Sequence, residues 1–176
     1  MTAIMNQDRI LYAKLESTYV IKFVGDIRYN ICAPLNAFIT QLYEREGFDN
    51  ILIDLSETQF IDSTNLGLLA RVANLMHERF QRRSTMVSTN ENVNRTLETV
   101  GFFEVFTIDE GKGQPAPNMH VLSQSQTTEA EMADAILEAH RTLSELNDTN
   151  REMFRSVVEG LEAELIDRNS TPAAAK

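Results

Sequence analysis

Phe60-Ile61-Asp62-Ser63-Thr64-Asn65-Leu66-Gly67 joins two segments of different periodicity. Before it, Ile51-Leu52-Ile53-Asp54-Leu55 is almost continuously apolar, as in a strand covered on both faces. After it, Leu69, Val72, Ala73, Met76 and Phe80 fall on one stripe at helical spacing, which predicts a helix from about Ser63 to Phe80. Asp62 or Ser63 can cap that helix, because a short polar side chain satisfies the free N–H groups of the first turn. A buried strand running through a capped turn into an amphipathic helix is half of a parallel crossover unit.

Outward from this unit the alternation continues. Ile10-Leu11-Tyr12-Ala13-Lys14-Leu15 and Tyr19-Val20-Ile21-Lys22-Phe23-Val24 are β-prone and three residues apart, which predicts a hairpin. Leu35, Phe38, Ile39, Leu42 and Tyr43 mark one face of a helix, with Pro34 in its first turn. Thr85-Met86-Val87 reads as a short strand, and Asn90 or Thr89 as the cap of a helix that runs to about Val100 and stops at Gly101. Phe102-Phe103-Glu104-Val105-Phe106-Thr107-Ile108 reads as the closing strand. The fold class is α/β, a mixed and mostly parallel sheet with packed helices.

Of 176 residues, 43% are hydrophobic, sufficient for a core, and the net charge is -10. Such acidity argues against binding nucleic acid or an anionic membrane through bulk charge. The first residues lack the cationic and apolar segments of a signal peptide, and no apolar run approaches the roughly 20 residues that span a bilayer, so a cytoplasmic location is expected. Asp109 to Asn118 is rich in Gly and Pro and reads as a linker; Ser123-Gln124-Ser125-Gln126 continues it. The organisation is a compact domain over 8–108, a linker over 109–126, a helical extension over 127–168 and a frayed tail over 169–176.

Catalytic and metal signatures are missing. His77, His120 and His140 lack ligand spacing, and His77 reads as a solvated surface residue. The single cysteine, Cys32, excludes an internal disulfide and reads as a packing residue. No nucleophile elbow, Walker loop or dinucleotide fingerprint occurs, so neither an enzyme nor a cofactor is expected. Ser63 remains: a hydroxyl in the exposed first turn of a predicted helix. It reads either as part of the cap or as a phosphorylation site, where the added charge of about -1.5 to -2 would suit the helix N-terminus and be repelled by Asp62.

Residues 10–108 resemble a STAS domain of the bacterial anti-sigma factor antagonist family. The resemblance is carried by Gly25-Asp26-Ile27, Ile51-Leu52-Ile53-Asp54-Leu55-Ser56, the stretch from Phe60 to Gly67, and Val93 to Phe106. The family pattern at the turn is Asp-Ser-[Ser/Thr]-Gly-Leu-Gly; Asn65 departs from it, and Arg28 stands where an acid or small polar residue is usual. The resemblance implies a protein-binding switch. The unphosphorylated antagonist binds an anti-sigma factor, a serine kinase of the histidine-kinase-like ATPase type, and so frees a sigma factor; a PP2C-type phosphatase reverses the phosphorylation. It assigns Ser63 as the phosphorylated residue and Asp26, Asp62, Ser63, Thr64, Asn65 and Leu66 to the partner-binding face. The alternative is a STAS scaffold or regulatory subunit of a signalling or transport assembly without a sigma-factor target, in which Ser63 only caps the helix.

Beyond the linker, Met132, Ile136, Ala139, Leu143, Leu146, Asn150, Met153 and Val157 alternate by fours and threes, a heptad-like seam. Asn147-Asp148-Thr149-Asn150 is either a bend between two helices or a polar point in one. Three arrangements bury the seam: folding back on the STAS domain, a homodimer through the C-terminal helices, or docking on a partner.

Overall fold

Strand β2 (Thr18–Ile27) carries no exposed residue along its length, because it lies inside a six-stranded sheet of order β5-β4-β3-β2-β1-β6. Its antiparallel neighbour is β1 (Arg9–Leu15), reached through a tight turn. On its other side β3 (Asn50–Ile61) runs parallel, then β4 (Thr85–Val87) and β5 (Thr107–Asp109), also parallel. Each parallel step requires a crossover. These are α1 (Cys32–Glu44) between β2 and β3, α2 (Ser63–Phe80) between β3 and β4, and α3 (Glu91–Thr99) with α4 (Phe102–Val105) between β4 and β5. The computed structural model describes residues 8–113, 116–123 and 126–170.

The core lies between the sheet and these helices. Ile21, Phe23, Ile51, Ile53 and Leu55 from the strands meet Leu35, Ile39 and Leu42 of α1 and Leu69, Val72 and Met76 of α2, all essentially inaccessible to solvent. Among the described residues one carboxylate sits inside: Asp54, 1% exposed, accepts from the Ser56 amide at 2.9 Å and faces Lys22 Nζ at 3.8 Å. The expected helix caps form. Asp62 accepts from the Asn65 amide at the start of α2, and Asn90 accepts from the Asn92 and Val93 amides at the start of α3.

The closing strand is corrected. Phe102–Val105 forms a single helical turn, α4, and only Thr107–Asp109 is strand. Gly101 sets this up: at φ 78° it lies in the left-handed region that glycine enters without a Cβ penalty, and its carbonyl accepts from the Glu104 amide. The turn closes with the Phe106 amide donating to the Phe102 carbonyl at 2.8 Å. The segment expected as a linker contributes a two-residue strand, β6 (His120–Val121), which pairs antiparallel with β1. Of the expected tail, Asn169 and Ser170 end the last helix and 171–176 lie outside the described residues.

The extension is two helices, α5 (Glu129–Glu145) and α6 (Asp148–Ser170), and it folds back on the domain. Helix α5 begins with a full capping box between Thr128 and Glu131. The Thr128 amide and hydroxyl both donate to the Glu131 carboxylate and hold it below the usual carboxylate range. The chain bends at Asn147, whose Oδ1 accepts from the Asn150 amide at 2.8 Å. This bend re-phases the seam. Ala139 and Leu143 stay buried, but Met153 and Val157 turn to solvent, and Phe154 takes their place inside. A seam read as continuous assumes one helix; the bend rotates everything after it.

Candidate functional site

The register of β2 and β3 builds the rim of the site. Asp26 pairs with Phe60 and Ile27 with Ile61, and the Asp62 amide donates to the Ile27 carbonyl at 3.0 Å. Two neighbouring strand ends therefore deliver Asp26 and Asp62 side by side at the start of α2. Arg28 lies over the Phe60 ring, 4.5 Å from its centroid, and its guanidinium reaches Asp26 Oδ2 at 3.4 Å. Phe60 and Tyr29 are 41% and 56% exposed. Exposed aromatic side chains and arginine are enriched in protein-contact surfaces.

The capping question has a definite answer. Asp62 has extended backbone angles, and its Oδ1 accepts from both the Asn65 amide, at 3.0 Å, and Asn65 Nδ2, at 2.9 Å. Ser63 takes no part in the cap. Asn65, at the motif position where glycine is usual, lies in ordinary helix; no unusual backbone angle is needed there, and its side chain reinforces the cap.

Ser63 Oγ instead lies 3.0 Å from His140 Nε2 of α5. His140 Nδ1 is 2.8 Å from the Ile136 carbonyl, which can only accept, so Nδ1 carries a proton. In the neutral ring Nε2 is then the acceptor, and the Ser63 hydroxyl donates to it. The expectation of a freely exposed hydroxyl is corrected: Ser63 is half-buried, and the extension lies against it. Thr64, Asn65 and Leu66 are buried outright, at 5%, 0% and 2% exposure. Asp26 and Asp62 remain half-exposed.

Further along α2 the two helices almost touch. A Cβ on Gly67 would lie 2.9 Å from the Ala139 Cα and nearer still to its carbonyl group, so only glycine permits this approach. Arg71 Nε, one turn on, faces Glu138 at 3.7 Å. Helix α6 backs α5 through the Arg141–Glu162 ion pair at 2.7 Å and through the Phe154 ring, 6.2 Å from that of His140.

Sequence reasoning missed His140, Gly67 as a contact point, and the aromatic rim of Tyr29 and Phe60. His140 follows Ala139 of the seam directly. An ionisable residue at the edge of an apolar stripe was the signal available, but its partner lies 77 positions away.

Cys32 is buried at the start of α1, with its Sγ 3.5 Å from Met132 Sδ of α5. Burial pushes its thiol up to about 11; the nearby Asp62 charge adds to the rise, and a backbone hydrogen bond opposes it. The folded state therefore favours the neutral thiol. That contribution is complete below the ordinary thiol range and is lost as pH rises toward about 11. Alkylation of the native protein at pH 8 is expected to run at least about 100-fold slower than after denaturation, since only the thiolate reacts. Equal rates in an iodoacetamide time course would show the site to be open. His77 and His120 are exposed, and no group of three or more His, Cys, Asp or Glu among the described residues could hold a metal ion. No helix among the described residues is long and apolar enough to cross a membrane.

Three solved structures are similar to this chain. The anti-sigma factor antagonist SpoIIAA in its unphosphorylated form matches with 16% identity and a TM-score of 0.48, over 58% of this chain and 87% of that one. The Bacillus cell fate determinant SpoIIAA in the phosphorylated form matches with 18% identity and a TM-score of 0.46, over 56% and 88%. An anti-sigma factor antagonist from Mycobacterium paratuberculosis matches with 21% identity and a TM-score of 0.46, over 58% and 85%. The family model described as the STAS domain matches residues 9–114. With a mixed sheet in this strand order and more than half of its length matched, the chain belongs to the STAS domain family.

Proposed function

We propose that this protein is a phosphorylation-switched anti-sigma factor antagonist, a binding module and not an enzyme. Unphosphorylated at Ser63, it binds an anti-sigma factor that is also a serine kinase of the histidine-kinase-like ATPase type, and a sigma factor is released. The observation that carries this reading is the division of labour at the start of α2. Asp62 alone caps the helix, which leaves the Ser63 hydroxyl without a structural duty in the turn.

In the modification step Ser63 Oγ attacks the γ-phosphorus of ATP. The new O–P bond forms as the bond to the β-phosphate oxygen breaks, ADP leaves, and the hydroxyl proton passes to a base on the kinase. A PP2C-type phosphatase restores the serine by hydrolysis. The phosphoryl group would sit at the positive end of the α2 dipole and beside the Asp62 carboxylate. The sheet and α2 would tolerate it, while the added charge beside Asp26 and Asp62 would repel an acidic partner surface.

Incubation of the full chain with ATP and a serine kinase of the histidine-kinase-like ATPase type from the same cells, followed by peptide mass spectrometry, is expected to place phosphate on Ser63, and Ser63→Ala to abolish it. Ser63→Asp is expected to weaken kinase binding at least about tenfold, or roughly 1.4 kcal/mol. Absence of phosphate, with Ser63→Asp binding as well as wild type, would refute the proposal. Recovery of membrane-transport or other signalling subunits in place of an ATPase-type kinase would support the scaffold reading instead.

A further inference from the structure

The Ser63 hydroxyl and the extension meet at a junction that a switch based on Ser63 has to break. His140 is 5% exposed, held at Nδ1 by the Ile136 carbonyl and backed by Phe154, and its Nε2 stands 3.0 Å from Ser63 Oγ. The Gly67–Ala139 approach, one helical turn away, leaves no room for a side chain between α2 and α5. Both contacts lie on the face of α2 that begins with Ser63.

We propose that the α5–α6 hairpin is an autoinhibitory cover over the Ser63 face, and that α5 in its seat and a phosphoryl group on Ser63 exclude each other. This rests on the reading of Ser63 as the phosphorylated residue. The exclusion has two causes. Esterification removes the proton that Ser63 donates to Nε2. A phosphoryl group on Oγ then has to fit beside an imidazole whose Nε2 lies only 3.0 Å away, and the ring cannot swing aside without losing the Ile136 carbonyl and displacing Phe154. The hairpin moves as a unit, and α6 moves with it through the Arg141–Glu162 pair.

The exclusion is reciprocal, since coupling between two states of one equilibrium has the same magnitude in both directions. Phosphorylation lifts α5, and whatever lifts α5 exposes Ser63 to the kinase.

Hydrogen exchange measured by mass spectrometry on the full chain tests the cover without any partner. In Ser63→Asp, peptides from 129–145 are expected to exchange at least about tenfold faster than in wild type, while peptides from 50–61 keep their protection. Gly67→Ala adds no charge and improves helix propensity in α2, yet it inserts a methyl group under Ala139; the same acceleration of α5 is expected. With kinase and ATP, Ser63 in Gly67→Ala is expected to be phosphorylated faster by a similar factor. Unchanged α5 exchange in both variants, with Ser63 phosphorylated normally, overturns the cover and leaves the phosphorylation reading standing. Faster α5 exchange in both variants, with no phosphate ever on Ser63, overturns that reading instead.

Discussion

Phe102→Ala is expected to lower the stability of the protein by about 3–5 kcal/mol, whereas Phe103→Ala next to it changes stability by less than about 0.5 kcal/mol. Phe102 is fully buried in the core, its ring 5.0 Å from that of Phe106. Phe103 points outward and is 43% exposed. Truncation at 102 loses the transfer free energy of the ring and leaves a cavity that α4, a single turn pinned between Gly101 and β5, cannot collapse to fill. For a chain of this length that loss corresponds to a drop in Tm of about 6–20 °C. Urea titrations of the two variants check it; similar midpoints would mean that the turn is not anchored by Phe102.

Asn150→Ala is expected to cost about 2–3 kcal/mol and to loosen the hairpin before the sheet. Asn150 is completely buried. Its Nδ2 donates to the Val100 carbonyl at 3.0 Å and to the Leu143 carbonyl at 2.9 Å, so one amide ties the end of α5 to the residue that follows α3. Removal leaves two carbonyls without this donor. It also removes the buried and unpaired Oδ1 of Asn150, which keeps the net loss below the sum of two orphaned groups. Asn147 Nδ2, 3.4 Å from the same Val100 carbonyl, is too distant to compensate fully. Exchange in 129–145 should rise well before exchange in 50–61 in a denaturant series. Simultaneous loss of both would show the hairpin and the sheet to be one cooperative unit.

Both variants probe places where sequence and structure part company. At 102–106 the chain is rich in aromatic and β-branched residues, and positions 102 and 106 share a face in a strand and in a helix alike. Periodicity could not separate the two there. What decides for the helix is the left-handed Gly101, together with a β5 too short to take up the whole segment. At 147–150 the sequence left open a bend or a polar point in one helix. The bend wins because Asn147 caps α6, a local bond, and because Asn150 reaches the Val100 carbonyl 50 positions away, a bond that local spacing does not show.

Local periodicity and capping chemistry were enough to settle strands β1 to β4, helices α1 to α3 and the turn that carries Ser63, because burial of a strand on two faces and of a helix on one leaves its pattern in neighbouring residues. The choice of Asp62 over Ser63 as the cap, the side chain that meets the freed hydroxyl, and the face that α5 covers were decided only in three dimensions. They depend on contacts such as Ser63–His140 and Gly67–Ala139, between residues more than 70 positions apart, which leave no periodic trace in the chain.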